Sequence, residues 1–165
     1  MKNDKEGNPT EHLHRKLNYV RRAGVTDYDG MYGAGVSIDN AFSEMMLVKK
    51  TYDQCNRKGF YHYVFSPANG DRYRLPELYD TGIQITELIA HFFGRYQVLM
   101  TLHYIDEWQT HVHIIANNID LDTGQRFDLD RQRLALLKRK INELLKRTNI
   151  SPIIINYCGY EHGMV

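Results

Sequence analysis

Cysteine is scarce in this chain. Only Cys55 and Cys158 occur in 165 residues, and neither belongs to a CxxC pair. A disulfide framework is therefore not expected, and both thiols are read as free and buried. Long apolar runs are missing too. No stretch approaches the ~20 residues that a transmembrane helix needs. The opening MKNDKEGNPTEHLHRK is polar throughout and lacks the apolar centre of a secretory signal, so a cytoplasmic location is expected. An excess of one charge sign is absent as well. Lys and Arg total 21 against 20 Asp and Glu, so net charge does not announce a polyanion binder. No HExxH segment is present, which removes the commonest helical zinc-hydrolase motif.

The distribution of charge says more than its sum. Residues 1–75 hold 12 basic and 9 acidic side chains, residues 76–118 hold 1 and 5, and residues 119–165 hold 8 and 6. Basic residues flank an acidic, histidine-bearing middle. Composition is 42% hydrophobic and 25% charged, ordinary for one globular domain.

Residues 1–16 read as a flexible N-terminal lead-in, and 17–165 as a single domain. LNYV at 17–20 has strand character, and the four glycines of 23–36 predict a loop. Ser37 is placed to cap a helix over about 38–55. FYHYVFS at 60–66 is aromatic and β-branched, a strand. Pro76 opens a helix reaching Gly94. YQVLMTLH at 96–103 and THVHIIANNI at 110–119 form a hairpin. Leu134, Leu137, Ile141 and Leu144 put one apolar face on a helix over 129–148. PIIINY at 152–157 is a last strand. Hairpin-like pairing among mixed elements predicts α+β, a mainly antiparallel central sheet with flanking helices.

The chemistry concentrates in HVHIIAN at 111–117. Side chains alternate along a strand, so His111, His113, Ile115 and Asn117 share one face, while Val112, Ile114 and Ala116 take the other. Imidazoles at i and i+2 have Cα atoms about 6.5 Å apart and can converge on one cation. The hairpin brings His103 to the same face. Three neutral imidazoles with open positions suit a catalytic divalent metal. Asp106 and Glu107, in the connecting loop, are placed to orient an imidazole N–H. Asn117 offers a neutral polar group for a phosphate oxygen, or a hydrogen bond at the strand end.

The His-hydrophobe-His pair followed by asparagine resembles the signature of the relaxase, or mobilisation nuclease, family. FYHYVFSP resembles that family's aromatic strand, and LHYIDEWQTHVH its metal-ligand hairpin. TGQRFDLDRQRLALLKRKINELLKR resembles the turn and basic helix that follow. LNYVRRAGVTD with GVSIDNAFSEMMLVKKTY resembles its N-terminal segment. The likeness covers about 17–157. The segment from His103 to His111 is one residue longer than the closest family pattern.

The resemblance implies a nuclease that nicks one strand of single-stranded or supercoiled transfer-origin DNA. A tyrosine nucleophile would form a 5′-phosphotyrosine adduct, helped by Mn2+ or Mg2+ on His103, His111 and His113. It further implies accessory mobilisation proteins and a coupling protein as partners, and no membrane. The nucleophile position corresponds to Tyr19, with Tyr28 and Tyr32 in reserve. Arg21, Arg22, Lys138, Arg139 and Lys140 are candidates for phosphate contacts, as are Lys146 and Arg147. Trp108 is a candidate for base stacking. Three alternatives stay open. A rolling-circle replication initiator of the same superfamily would use Tyr157 or Tyr160, which follow the histidines. A non-catalytic DNA-binding accessory module would need no metal. A metallohydrolase of small phosphate esters would want a carboxylate pair beside the histidines, and none is seen.

Overall fold

Asn8 and Pro9 start the first helix. The Asn8 side chain accepts from the Thr10 amide at 3.0 Å, and proline follows where its missing N–H costs nothing. Helix α1 (Pro9–Val20) then buries Leu13, Leu17 and Val20, spaced four and three apart on one stripe. This corrects two expectations: LNYV is the end of a helix rather than a strand, and the lead-in is helical from residue 9. A computed structural model of the chain describes residues 8–55, 59–68, 71–105 and 109–152, and the backbone of 156–157.

After a 3-10 turn at Tyr28–Gly30, strand β1 (Met31–Ala34) occupies part of the expected loop. Helix α2 (Ala41–Thr51), strand β2 (Phe60–Phe65) and helix α3 (Leu75–Ala90) follow. Strands β3 (Val98–His103) and β4 (His111–Asn117) form the expected hairpin, ahead of helix α4 (Arg131–Leu145). Strand β5 is described at Asn156–Tyr157. Helix α2 begins later than expected. Asn40 precedes it, and Ser37 instead donates from its hydroxyl to Glu44. Among the described residues no helix is long and apolar enough to cross a membrane.

The sheet order is β1-β3-β4-β2-β5, every neighbouring pair antiparallel. Both faces are covered. Val112, Ile114 and Ala116 pack with Leu78, Ile85 and Ile89 of α3 and Leu137, Ile141 and Leu145 of α4. Leu99 and Ile115 point the other way, against Leu13, Leu17 and Val20 of α1 and Ala41, Met45 and Met46 of α2. The fold is α+β, as expected, in three layers. The histidine face of β4 is the α1 face.

Helix α1 has no covalent anchor, so its position depends on that apolar stripe. Leu17 is fully buried. Leu17→Ala is expected to cost about 2–5 kcal/mol in chemical denaturation, the usual range for a truncated core leucine.

Candidate active site

Register sets the site. His103 lies opposite His111, and Thr101 opposite His113, so the three imidazoles share one sheet face at one end of the hairpin. One ring nitrogen of each lies within 4.8 Å of the others. Ring centroids are 4.3 Å apart for His103 and His113, and 4.8 Å for His111 and His113. His103 and His113 are buried, and His111 is half-buried at the rim. The extra residue in the loop does not displace His103, which sits deepest of the three at 0% exposure.

Two tautomers follow from fixed acceptors. A carbonyl only accepts, so His103 donates from Nε2 to the Val20 carbonyl at 2.7 Å, and its Nδ1 bears the lone pair. His111 donates from Nδ1 to the Gln109 carbonyl at 2.9 Å, which leaves the lone pair on Nε2. That Nε2 lies 3.1 Å from Nε2 of His113. Two nitrogens roughly 3 Å apart suit ligands ~2.1 Å from a common ion. The donor set therefore fits a divalent cation: imidazole nitrogens, convergent, and shielded on the sheet side.

A fourth histidine completes the cluster and escaped the sequence reading. His62 of β2 lies 2.7 Å from His113, Nε2 to Nδ1, with the two rings stacked 4.9 Å apart. Burial pushes His62 down to about 3, with Lys16 and His103 adding to the shift. Burial pushes His113 down to about 2, reinforced by the neighbouring imidazoles and Lys16. Both rings are neutral at physiological pH, the form that binds metal. A histidine inside an aromatic strand was the available signal. Its partner depends on β2 pairing with β4, a register between strands distant in sequence.

Tyr19 stands beside the cluster on the last turn of α1. Its ring centroid is 5.9 Å from that of His113 and 6.4 Å from that of His103. The bond from His103 to Val20 ties that turn to the site. At 47% exposure Tyr19 is open to a macromolecular substrate. The Arg22 guanidinium covers its ring at 4.3 Å and donates to the Tyr19 carbonyl, and the Lys16 ammonium lies 5.6 Å from the ring. Lys16 was not among the sequence candidates.

The remaining candidates separate. Tyr32 is on the opposite sheet face, where its hydroxyl donates to Glu87 of α3, a bond that raises its pKa. Tyr28 is exposed in the 3-10 turn. Arg21 is occupied with protein carbonyls, donating to Leu17 and, at 2.7 Å, to Ile38. It closes the C-terminal end of α1, where carbonyls lack helical partners and cations are favoured. Asn117 is buried in a network with the Met45 carbonyl and Gln97 rather than turned to the cluster. Lys138, Arg139 and Lys140 belong to α4, in the layer on the far side of the sheet. Cys55 is a free thiol, half-buried rather than buried. Asp106, Glu107, Trp108, Cys158 and Tyr160 lie outside the described residues, as does the side chain of Tyr157.

Comparison with curated proteins and with solved structures gives no match. A sequence model of one family, the MobA/VirD2-like relaxase nuclease domain, matches residues 11–150. That stretch contains α1 from residue 11 on, with Tyr19, the β3–β4 hairpin and all four clustered histidines. The chain belongs to the relaxase family, as a MobA/VirD2-like nuclease domain.

Proposed function

We propose that the chain nicks one DNA strand at a transfer origin by attack of the Tyr19 hydroxyl, in mobilisation or conjugative transfer of a plasmid or integrative element. The observation that carries the reading is the exposed Tyr19 held beside the buried histidine cluster, 5.9 Å from His113 between ring centroids.

The Tyr19 oxygen forms a bond to phosphorus, and the bond from phosphorus to the 3′ oxygen breaks. The tyrosine proton is lost and the departing 3′ oxygen gains one. The phosphate stays on the 5′ end as a phosphotyrosine. One phosphodiester replaces another, so no nucleotide cofactor is required and the freed 3′-hydroxyl can attack back. A divalent cation on His103, His111 and His113, Mn2+ or Mg2+, would supply charge neutralisation at the phosphate when bound. The chain itself contributes placement. His103 fixes the last turn of α1 through Val20, and Arg22 packs on the Tyr19 ring. Lys16 brings a positive charge to where the phosphate would lie. Accessory mobilisation proteins and a coupling protein belong to this reading as partners. The basic side chains of α4 would serve contacts away from the nick.

Strand transfer tests the reaction. Two oligonucleotides carrying the same nick site in different lengths are incubated together with the protein and manganese. The expected products include strands of recombinant length. Free 5′-phosphate ends without recombinants would mean hydrolysis, and the transesterase reading would fail. Lys16→Ala is expected to weaken single-stranded DNA binding and to lower the slope of log affinity against log salt by about one. An unchanged slope in fluorescence-anisotropy titrations would remove Lys16 from the phosphate path.

A further inference from the structure

His62 and His113 are diagonal neighbours on one face, since His62 pairs with Ile115 and Val64 with His113. Both rings are buried, 3% and 5% exposed, and a hydrogen bond of 2.7 Å joins them. The second ring nitrogen of His62, Nδ1, is buried and has no hydrogen-bond partner among the described residues. A leucine at this core position would avoid that cost. The residue is therefore poorly explained as filler.

Two proton arrangements are open to the pair. In one, His62 donates from Nε2 to Nδ1 of His113, and His113 donates from Nε2 to the Nε2 lone pair of His111, 3.1 Å away. In the other, His113 donates from Nδ1 to His62, and its Nε2 lone pair points into the cluster. The second arrangement sets two lone pairs against each other across 3.1 Å. It is favourable only with a cation between them. An imidazole serves both, because either of its nitrogens can donate or accept.

We propose that His62 is a positioning residue: by accepting from His113 Nδ1, it holds His113 in the tautomer whose Nε2 faces the cation. When metal binds, the proton on His113 Nε2 is released to solvent, the proton on His62 Nε2 passes to His113 Nδ1, His62 takes a proton from solvent at Nδ1, and both rings keep their places. The inference rests on the reading of His103, His111 and His113 as a metal site, and it concerns ion affinity rather than strand chemistry.

The experiment uses the full chain without a histidine tag. Zinc and manganese are titrated calorimetrically into wild type, His62→Leu and His62→Gln, with circular dichroism confirming the fold of each. Loss of such a partner to a ligating histidine typically weakens metal binding 10–100-fold. The expected result is a loss of that order for His62→Leu. His62→Gln, whose amide can accept or donate by turning over, should stay within about threefold of wild type. Nitrogen-15 spectra of the zinc-loaded wild type should show His113 protonated at Nδ1 and His62 unprotonated at Nε2. Wild-type affinity in a folded His62→Leu overturns the inference alone. So does a His62→Gln protein as weak as His62→Leu, or a spectrum placing zinc on a nitrogen of His62. Absence of metal binding by wild type overturns both the inference and the metal site it rests on. If His62→Leu does not fold, the glutamine variant and the wild-type spectra still decide.

Discussion

Tyr19→Phe is expected to bind single-stranded transfer-origin DNA within about threefold of wild type while cutting it on the order of 10^4-fold more slowly, or not at all. The two effects separate because binding and chemistry use different atoms. Binding draws on many phosphate contacts, to which one phenolic oxygen adds little. The substitution keeps the ring, and with it the packing of Arg22 at 4.3 Å and the neighbouring imidazoles at 5.9 and 6.4 Å. Only the attacking oxygen is lost. Anisotropy binding and a denaturing-gel cleavage assay on one protein preparation read both quantities. Undiminished cleavage would move the nucleophile. Tyr32 would be a poor heir, because its hydroxyl faces Glu87 across the sheet. Tyr28 and the C-terminal Tyr157 and Tyr160 would come first, and the last two would favour a replication initiator.

The second large effect is expected from the histidines. His111→Ala/His113→Ala should fall from about one bound ion per chain to none, because two of three neutral nitrogen ligands are gone. Cleavage should be lost with the ion, and DNA affinity retained. His111 is half-buried, so its loss should leave the fold intact, whereas the His113 site lies in the core. Metal analysis after manganese loading is the readout, and wild-type stoichiometry in the double variant would sink the site. His103→Ala should differ in kind. It removes a ligand and also the bond to the Val20 carbonyl, so the last turn of α1 loosens and Tyr19 with it. Its single-turnover cleavage should not be restored by saturating metal.

The hairpin and its chemistry were legible in the sequence because both are local. Alternation assigned Val112, Ile114 and Ala116 to one face and the histidines to the other, and the short connection placed His103 beside His111. The first helix is not legible in LNYV alone. Its period runs from Leu13 through Leu17 to Val20, and its start is written in Asn8 and Pro9. In isolation, LNYV offers an aromatic and a β-branched residue, which fit a strand. Strand β1 was hidden by Gly33 within it and the glycines on either side. A Cβ on Gly33 would sit 2.1 Å from the Val36 carbonyl oxygen, so this glycine answers close backbone approach inside a strand rather than loop freedom.

The rest depended on distant pairing. His62 meets His113 only because β2 is the neighbour of β4, across 51 positions of sequence. The basic residues of α4 were candidates for phosphate contacts alongside Arg21 and Arg22. Which sheet face a helix covers is decided by the crossover, and α4 covers the face opposite the histidines. A helix ending at Val20 needs donors for its last carbonyls, and the Arg21 side chain supplies one to Leu17.

The most direct measurement is the mass of the protein–DNA linkage. An oligonucleotide spanning the nick site is incubated with the protein and manganese, the covalent species is isolated under denaturing conditions, and its peptides are mapped after nuclease digestion. A 3′-labelled strand should become protein-linked and a 5′-labelled strand should release a free fragment. The modified peptide should carry a 5′-nucleotide phosphate on Tyr19. A phosphonucleotide on any other residue, or cleavage with no adduct under these conditions, would contradict the assignment of Tyr19 as the nucleophile.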